Sequence, residues 1–102
     1  MGRWVKDIGR REPGVSVVIP AYGRVSSLDR AVASVLAQTA SDWELTILDD
    51  ASPHPDIRTT SEAWARRDER ITYIRAEANF GLLAIFRRAA QLGQAPRLLI
   101  LC

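Results

Sequence analysis

At 102 residues, with 47% hydrophobic and 25% charged side chains, the chain has the composition of one soluble domain. Its net charge is only +2 and its 14 basic residues are spread along the sequence, which argues against a nucleic-acid partner. The single cysteine, Cys102, excludes an internal disulfide or a cysteine-based zinc site, and we expect a reducing compartment. No apolar run approaches the roughly 18 residues of a membrane span.

The first predicted element is a strand over residues 15–19. Its β-branched side chains suit a strand that is buried on both faces of a parallel sheet. Pro20 has no amide hydrogen to donate to a neighbouring strand, so we expect the strand to stop there. An aromatic ring, Tyr22, and a guanidinium, Arg24, follow this predicted end.

A helix is predicted to follow, reaching to about Thr39. Ser26 or Ser27 can serve as its N-cap, and Asp29 would place a carboxylate in the first turn. The apolar side chains that recur at helical spacing are Leu28, Val32, Val35 and Leu36.

The remaining predicted elements alternate between strands and helices. They are a strand over 43–48, a helix over 56–69, a strand over 71–74, a helix over 82–92 and a strand over 97–101. In the last helix we expect Leu83, Phe86 and Ala90 to form the apolar face, with Arg87 and Arg88 in solvent. This order predicts an α/β fold with a parallel sheet and right-handed crossovers.

The loops after the first two strands would meet at one edge of such a sheet, where open α/β sheets bind ligands. We therefore expect Tyr22 and Arg24 to lie near Asp49 and Asp50. There an aspartate can accept hydrogen bonds from a base or a ribose, the ring can pack on the base, and the arginine can bind phosphate. These residue types favour a nucleotide site. They also permit a plainer interpretation, in which the aspartates cap a loop and the tyrosine covers the core.

The two adjacent aspartates are not expected to act as a matched pair. Neighbouring residues at a strand end point to opposite sides, so their carboxylates should diverge. We expect one of them to face the cleft and the other to tie down the loop.

Several stretches occur in an order that is specific when they are taken together. They are Val15-Ser-Val-Val-Ile-Pro-Ala-Tyr-Gly-Arg24, Ala33-Ser-Val-Leu-Ala-Gln-Thr39, Trp43-Glu-Leu-Thr-Ile-Leu-Asp-Asp-Ala-Ser-Pro53, Arg70-Ile-Thr-Tyr-Ile74 and Asn79-Phe-Gly81. This series resembles the opening of the family 2 glycosyltransferases, which have the Rossmann-like GT-A nucleotide-diphospho-sugar transferase fold. The resemblance covers residues 15–102.

The resemblance implies a transferase that takes a sugar from a UDP-, GDP- or dTDP-sugar and passes it to a glycan, lipid or other acceptor. Residues 14–102 would form part of the GT-A domain, the donor-binding half, and we expect residues 1–13 to be a flexible lead-in. The nucleotide-sugar site that we predict consists of Pro20, Ala21, Tyr22, Arg24, Asp49 and Asp50.

Within that implied site, Pro20 and Tyr22 would line the base pocket. Asp50 would bind the base or the ribose, with Asp49 as its supporting neighbour. The Asn79-Phe-Gly81 turn matches the family's Asn-x-Gly turn, which would shape the donor cleft. Ile85 departs from the family pattern, which often has a polar residue there.

In this family the fourth strand leads to an Asp-x-Asp motif that holds Mg²⁺ or Mn²⁺ on the donor diphosphate. The sequence stops at Cys102, about where that motif would begin. We therefore expect a fragment truncated before the metal site, with no catalytic residue, no metal ligand and no sugar transfer of its own. The expected location is the cytoplasm or the cytoplasmic face of a membrane.

Two other classes of protein share the predicted fold. A phosphoacceptor receiver domain also has aspartates at strand ends, but it needs a lysine at a late strand end, and the one lysine here is Lys6. A non-catalytic α/β module could use the same edge to bind a nucleotide or a protein partner.

Overall fold

A computed structural model describes residues 14–22, 24–38, 42–92 and 97–101. Within these ranges, strands and helices alternate in the order β1 (Val15–Ala21), α1 (Val25–Leu36), β2 (Trp43–Asp49), α2 (Pro55–Arg67), β3 (Ile71–Arg75), α3 (Leu82–Leu92) and β4 (Arg97–Ile100). The predicted lead-in over 1–13 and Cys102 lie outside the described residues.

The four strands form one sheet in the order β3-β2-β1-β4, and every neighbouring pair is parallel. Parallel neighbours need long crossovers, and each of the three helices supplies one. The predicted α/β architecture with a parallel sheet is confirmed. β1 and β2 pair over their full lengths, from Val15 opposite Trp43 to Ala21 opposite Asp49, so their carboxyl ends are level.

Helices α1 and α2 cover one face of the sheet. Successive strand residues point to opposite faces, so β1 gives Val17 and Ile19 to this side. Val32 of α1 and Ile57 of α2 are fully buried against them. Each such side chain contributes about 1.5–3 kcal/mol through its burial.

Helix α3 covers the other face, and its buried side chains are Ile85 and Ala89. They pack with Val18 and Leu48 of the two central strands. The predicted apolar face is wrong, because Leu83 is 70% exposed and Ala90 is also exposed, while the Phe86 side chain lies outside the described residues. Apolar residues occur on several sides of this helix, so their spacing does not select one face. Positions 85 and 89 are one helical turn apart, and the small Ala89 lets the helix approach the sheet closely.

Strand β1 continues through Pro20 to Ala21, so the prediction that it stops at the proline is wrong. The N–H of Leu101 donates to the carbonyl of Val18, which shows that the even-numbered residues of β1 direct their backbone groups toward β4. The register of β4 ends with Ile100 opposite Val18. Within the described residues, the nitrogen of Pro20 therefore lies beyond this pairing, where a missing donor costs no ladder bond.

Helix α1 begins at Val25, before the serines predicted to cap it. Arg24 occupies the N-cap position with an extended backbone and makes no capping hydrogen bond through its side chain. A cap at Ser26 or Ser27 is therefore wrong, because the short loop after β1 carries the chain into the helix earlier. The helix ends at Leu36, three residues before its predicted end.

Asp29 lies past the first turn of α1 and does not serve its N-terminus, contrary to the prediction. Its Oδ1 accepts a hydrogen bond of 2.8 Å from Nε1 of Trp64, which joins α1 to α2. Helix α2 starts with Pro55 at its first turn, where the lack of an N–H is harmless.

Candidate functional site

The carboxyl ends of β1 and β2 bring the predicted site residues to one edge of the sheet. Ala21 lies opposite Asp49, and the N–H of Asp50 donates to the Ala21 carbonyl over 3.4 Å. The loops that leave these two strands therefore start side by side. Tyr22 is 56% exposed and Arg24 is also exposed, so the tyrosine does not cover the core as the plainer interpretation supposed.

Asp49 is fully buried and accepts hydrogen bonds from three groups. Its Oδ1 accepts from the Ser52 N–H over 2.8 Å, which closes the turn after β2. Its Oδ2 accepts from the Tyr73 hydroxyl over 2.6 Å and from Nη1 of Arg75 over 3.3 Å. A buried carboxylate is stable only when its charge is compensated and its oxygens are bonded, and these donors meet both conditions. Asp49 thus anchors the turn and the neighbouring strand β3.

Asp50, which is 7% exposed, points away from Asp49 and holds a different loop. Its Oδ1 accepts from the Phe80 N–H over 2.8 Å, and its Oδ2 accepts from the Gly81 N–H over 2.9 Å. Gly81 has a φ of +90°, a conformation that glycine adopts without the steric cost of a side chain. The divergence of the two carboxylates is as predicted. The expectation that only one of them ties down a loop is wrong, because each binds a backbone amide of a loop.

Sequence reasoning missed the partners of Asp49. Tyr73 lies on the same side of the sheet as Asp49, and the register places Arg75 directly opposite it. The available signal was the pair of polar side chains at 73 and 75, which are two residues apart and so lie on one face of β3 near its end.

Burial raises the pKa of Tyr73 above its ordinary value of about 10, and the hydrogen bond to Asp49 raises it further. Because the pKa is higher in the folded chain, base deprotonates this tyrosine in the unfolded chain first. Its contribution to stability is therefore fully present below about pH 10 and is lost as the pH rises above that value.

We expect the free energy of unfolding to fall as the pH rises above about pH 10, and Tyr73→Phe to remove part of that fall. Urea unfolding at a series of pH values measures both effects. Tyr22→Phe is the matched control, since it removes a hydroxyl from an exposed ring. An identical pH dependence in the Tyr73→Phe variant and the unmodified chain would contradict the assignment.

No three His, Cys, Asp or Glu side chains in the described part of the chain lie close enough to hold a metal ion. Both oxygens of Asp49 and both oxygens of Asp50 already accept hydrogen bonds from the protein. The two carboxylates point to different loops, so they do not converge on one divalent cation. Among the described helices, none combines the length and the hydrophobicity needed to cross a membrane.

A family model described as glycosyl transferase family 2 matches residues 16–101. The chain belongs to this family. The membership confirms the predicted family and does not favour a receiver domain or a non-catalytic module.

Relatives in the same family share moderate sequence identity with the chain. A colanic acid biosynthesis glycosyl transferase named WcaA, from Escherichia coli (strain K12), is 35% identical over 85 residues, which are 83% of this chain and 30% of that protein. A teichuronic acid biosynthesis glycosyltransferase named TuaG, from Bacillus subtilis (strain 168), is 32% identical over 83 residues, which are 81% of this chain and 32% of that protein. The chain thus spans about a third of the length of these family 2 proteins.

The fold is also that of a solved glycosyltransferase. The mannosyltransferase PcManGT from Pyrobaculum calidifontis, in complex with GDP-Man and Mn²⁺, superposes with a TM-score of 0.70 at 17% identity. The match covers 82% of this chain and 25% of that protein. At this level of identity the likeness concerns the fold, and it agrees with the predicted GT-A architecture.

Proposed function

We propose that this chain is the nucleotide-sugar donor-binding portion of a family 2 glycosyltransferase. The observation that carries the proposal is that β1 and β2 end opposite each other, at Ala21 and Asp49. The exposed Tyr22 and Arg24 therefore lie beside the loop that begins at Asp50. Open α/β sheets bind ligands at this kind of edge. PcManGT, which has the same fold, binds GDP-Man, and this supports a nucleotide-diphospho-sugar as the donor class.

The exposed residues supply the reversible contacts in this proposal. Tyr22 offers a free aromatic face on which a base can stack, an interaction worth about 1–3 kcal/mol per base. Arg24 offers a planar guanidinium that can donate two parallel hydrogen bonds to a phosphate of the donor.

The buried residues shape the pocket. Each oxygen of the Asp50 carboxylate has two acceptor positions, and the loop amides take one on each oxygen, which leaves room for a donor from a base or a ribose. Asp49 supports it by fixing the turn that follows, while Pro20 and Ala21 form the wall at the end of β1.

In the complete enzyme we propose that a divalent cation, Mg²⁺ or Mn²⁺, neutralises the donor diphosphate and is held by residues other than those described. PcManGT contains Mn²⁺, which supports this assignment. The residues described here bind and orient the donor but supply no catalytic base, so we expect no sugar transfer by this chain alone. The acceptor would be a glycan, a lipid or another molecule, and the cytoplasm is the compartment we propose.

Titration of the chain with UDP, GDP and dTDP, followed by calorimetry, tests the proposal. We expect at least one of these nucleoside diphosphates to bind with a Kd below about 1 mM. Tyr22→Ala should lower that affinity by about fivefold or more. Arg24→Ala should lower the affinity for the nucleoside diphosphate and leave the affinity for the bare nucleoside unchanged. Arg30→Ala, which removes an exposed guanidinium from α1, is the matched control.

Two results would contradict the proposal. The absence of binding by all three nucleoside diphosphates would remove the donor-site assignment. Sugar transfer by the isolated chain from a nucleotide-sugar would show that the expected inactivity is wrong.

A further inference from the structure

A second concave surface lies on the side of the sheet that α3 covers. It is a cavity of about 490 Å³ between α3 and β3, within the range of roughly 300–1,000 Å³ that is usual for small-molecule sites. Leu48, Ile74 and Ile85 line its interior with apolar atoms. None of the six residues predicted for the nucleotide lines this cavity. It is therefore a separate surface from the edge where β1 and β2 end.

The residues around this cavity carry an excess of positive charge. Arg75, Arg87 and Arg88 contribute three guanidinium groups, against the single carboxylate of Glu77. Arg75 already donates to Asp49. Arg87 and Arg88 are exposed, and neither forms a hydrogen bond or an ion pair with another residue in the described part of the chain. Two adjacent, unengaged guanidinium groups at the mouth of an apolar cavity are complementary to an anion.

An aromatic ring completes the cavity. Phe80 lines it, and the residue is 62% exposed although its backbone N–H is held by Asp50. The hydrogen bond fixes the turn that carries this ring, so the backbone from which the ring projects is set before any ligand arrives. A ring with a free face favours a flat, apolar partner, since stacked or edge-to-face aromatic pairs are stabilising beyond the area they bury.

We propose that this cavity binds a small organic anion, a carboxylate, sulfonate or phosphate attached to a flat apolar ring system. The ring system packs between Phe80 and the apolar interior, and the anionic group meets Arg87 and Arg88 at the mouth. A nucleoside diphosphate suits this surface poorly. Its polar ribose and charged phosphates would lose their water to the apolar side chains of Leu48, Ile74 and Ile85, which offer no hydrogen bonds in return.

Anilinonaphthalene sulfonate, which joins a flat apolar ring system to one anionic group, is a suitable probe. Its binding is followed by fluorescence, and its position is read from backbone amide shifts in the NMR spectrum of the chain. We expect the largest shifts at Ile74, Phe80 and Ile85. The analogue without the sulfonate should bind at least about fivefold more weakly, because it lacks the group that the arginines recognise.

Substitutions separate this site from general attraction between charges. Arg87→Ala combined with Arg88→Ala should lower the affinity for the probe by about fivefold to tenfold. Phe80→Ala should lower this affinity by about threefold. The control is Arg30→Ala combined with Arg66→Ala, which removes the same charge from exposed positions outside the cavity and should leave the affinity unchanged.

Three outcomes would overturn the proposal. Equal weakening in the two double variants would mean that only net charge matters. Shifts centred on Leu98 and Leu99 would place the probe on the exposed strand β4. Displacement of the probe by UDP, GDP or dTDP would make the cavity part of the nucleotide site. Since nucleotide binding is measured separately, failure here leaves the proposed donor site standing.

Discussion

Replacing Asp49 with alanine is expected to lower the free energy of unfolding by about 3–5 kcal/mol. The substitution removes a fully buried carboxylate. The Ser52 N–H, the Tyr73 hydroxyl and the Arg75 guanidinium each lose the hydrogen bond that they donate to it. Small domains have a total stability of only about 5–15 kcal/mol, so a loss of this size would remove a large part of it.

Urea unfolding, followed by tryptophan fluorescence, measures this loss. Tyr73→Phe removes one of the three donors and should cost about 0.5–1.5 kcal/mol. Asp56→Ala is the matched control, because this exposed carboxylate in the first turn of α2 contributes only about 0.3–1 kcal/mol through the helix dipole. If Asp49→Ala proved no more damaging than Tyr73→Phe, the bonds to Ser52 and Arg75 would contribute nothing measurable.

Replacing Asp50 with alanine is expected to weaken nucleoside diphosphate binding by about tenfold to a hundredfold. The proposed contact to the base or ribose is lost, and hydrogen bonds to a charged acceptor are worth about 1.5–3 kcal/mol. The Phe80 and Gly81 amides also lose their shared acceptor, so the turn before α3 is no longer held against β2.

Two further variants separate these effects. Phe80→Ala keeps the backbone N–H that binds Asp50 and should leave nucleotide affinity unchanged. Asp50→Asn keeps one acceptor oxygen, so it should hold the turn in part and lie between the unmodified chain and the alanine variant in affinity. Full nucleotide affinity in the Asp50→Ala variant, measured by calorimetry, would confine this residue to holding the turn.

The parts of the fold that local sequence determines were predicted well. The β-branched run that begins at Val15 and the apolar run from Trp43 act through their own backbone preferences and burial, so their strand identity needs no knowledge of distant residues. The third helix was predicted with the bounds that it has, since Gly81 and Gly93 flank in the sequence a continuous stretch of mostly helix-forming residues. Alternation of these elements was sufficient to predict a parallel α/β sheet.

The site was predicted in outline, because strand order implies which loops meet. Parallel strands that are neighbours in sequence place their carboxyl ends at the same edge, so Tyr22, Arg24, Asp49 and Asp50 were expected at one place. The residues alone did not show that both aspartates are committed to loops. That outcome depends on amides and side chains of β3 and the following turn, which lie more than twenty residues away in the chain.

By itself, then, the sequence determined the kind of each element, their order and the edge at which the candidate site lies, because these follow from local backbone preference and from the periodicity of apolar residues. Only the tertiary structure decided which side of α3 is buried, why β1 can pass through Pro20, and which donors the two aspartates bind. Each of these depends on the groups that packing brings opposite a residue, and a local pattern carries no information about them.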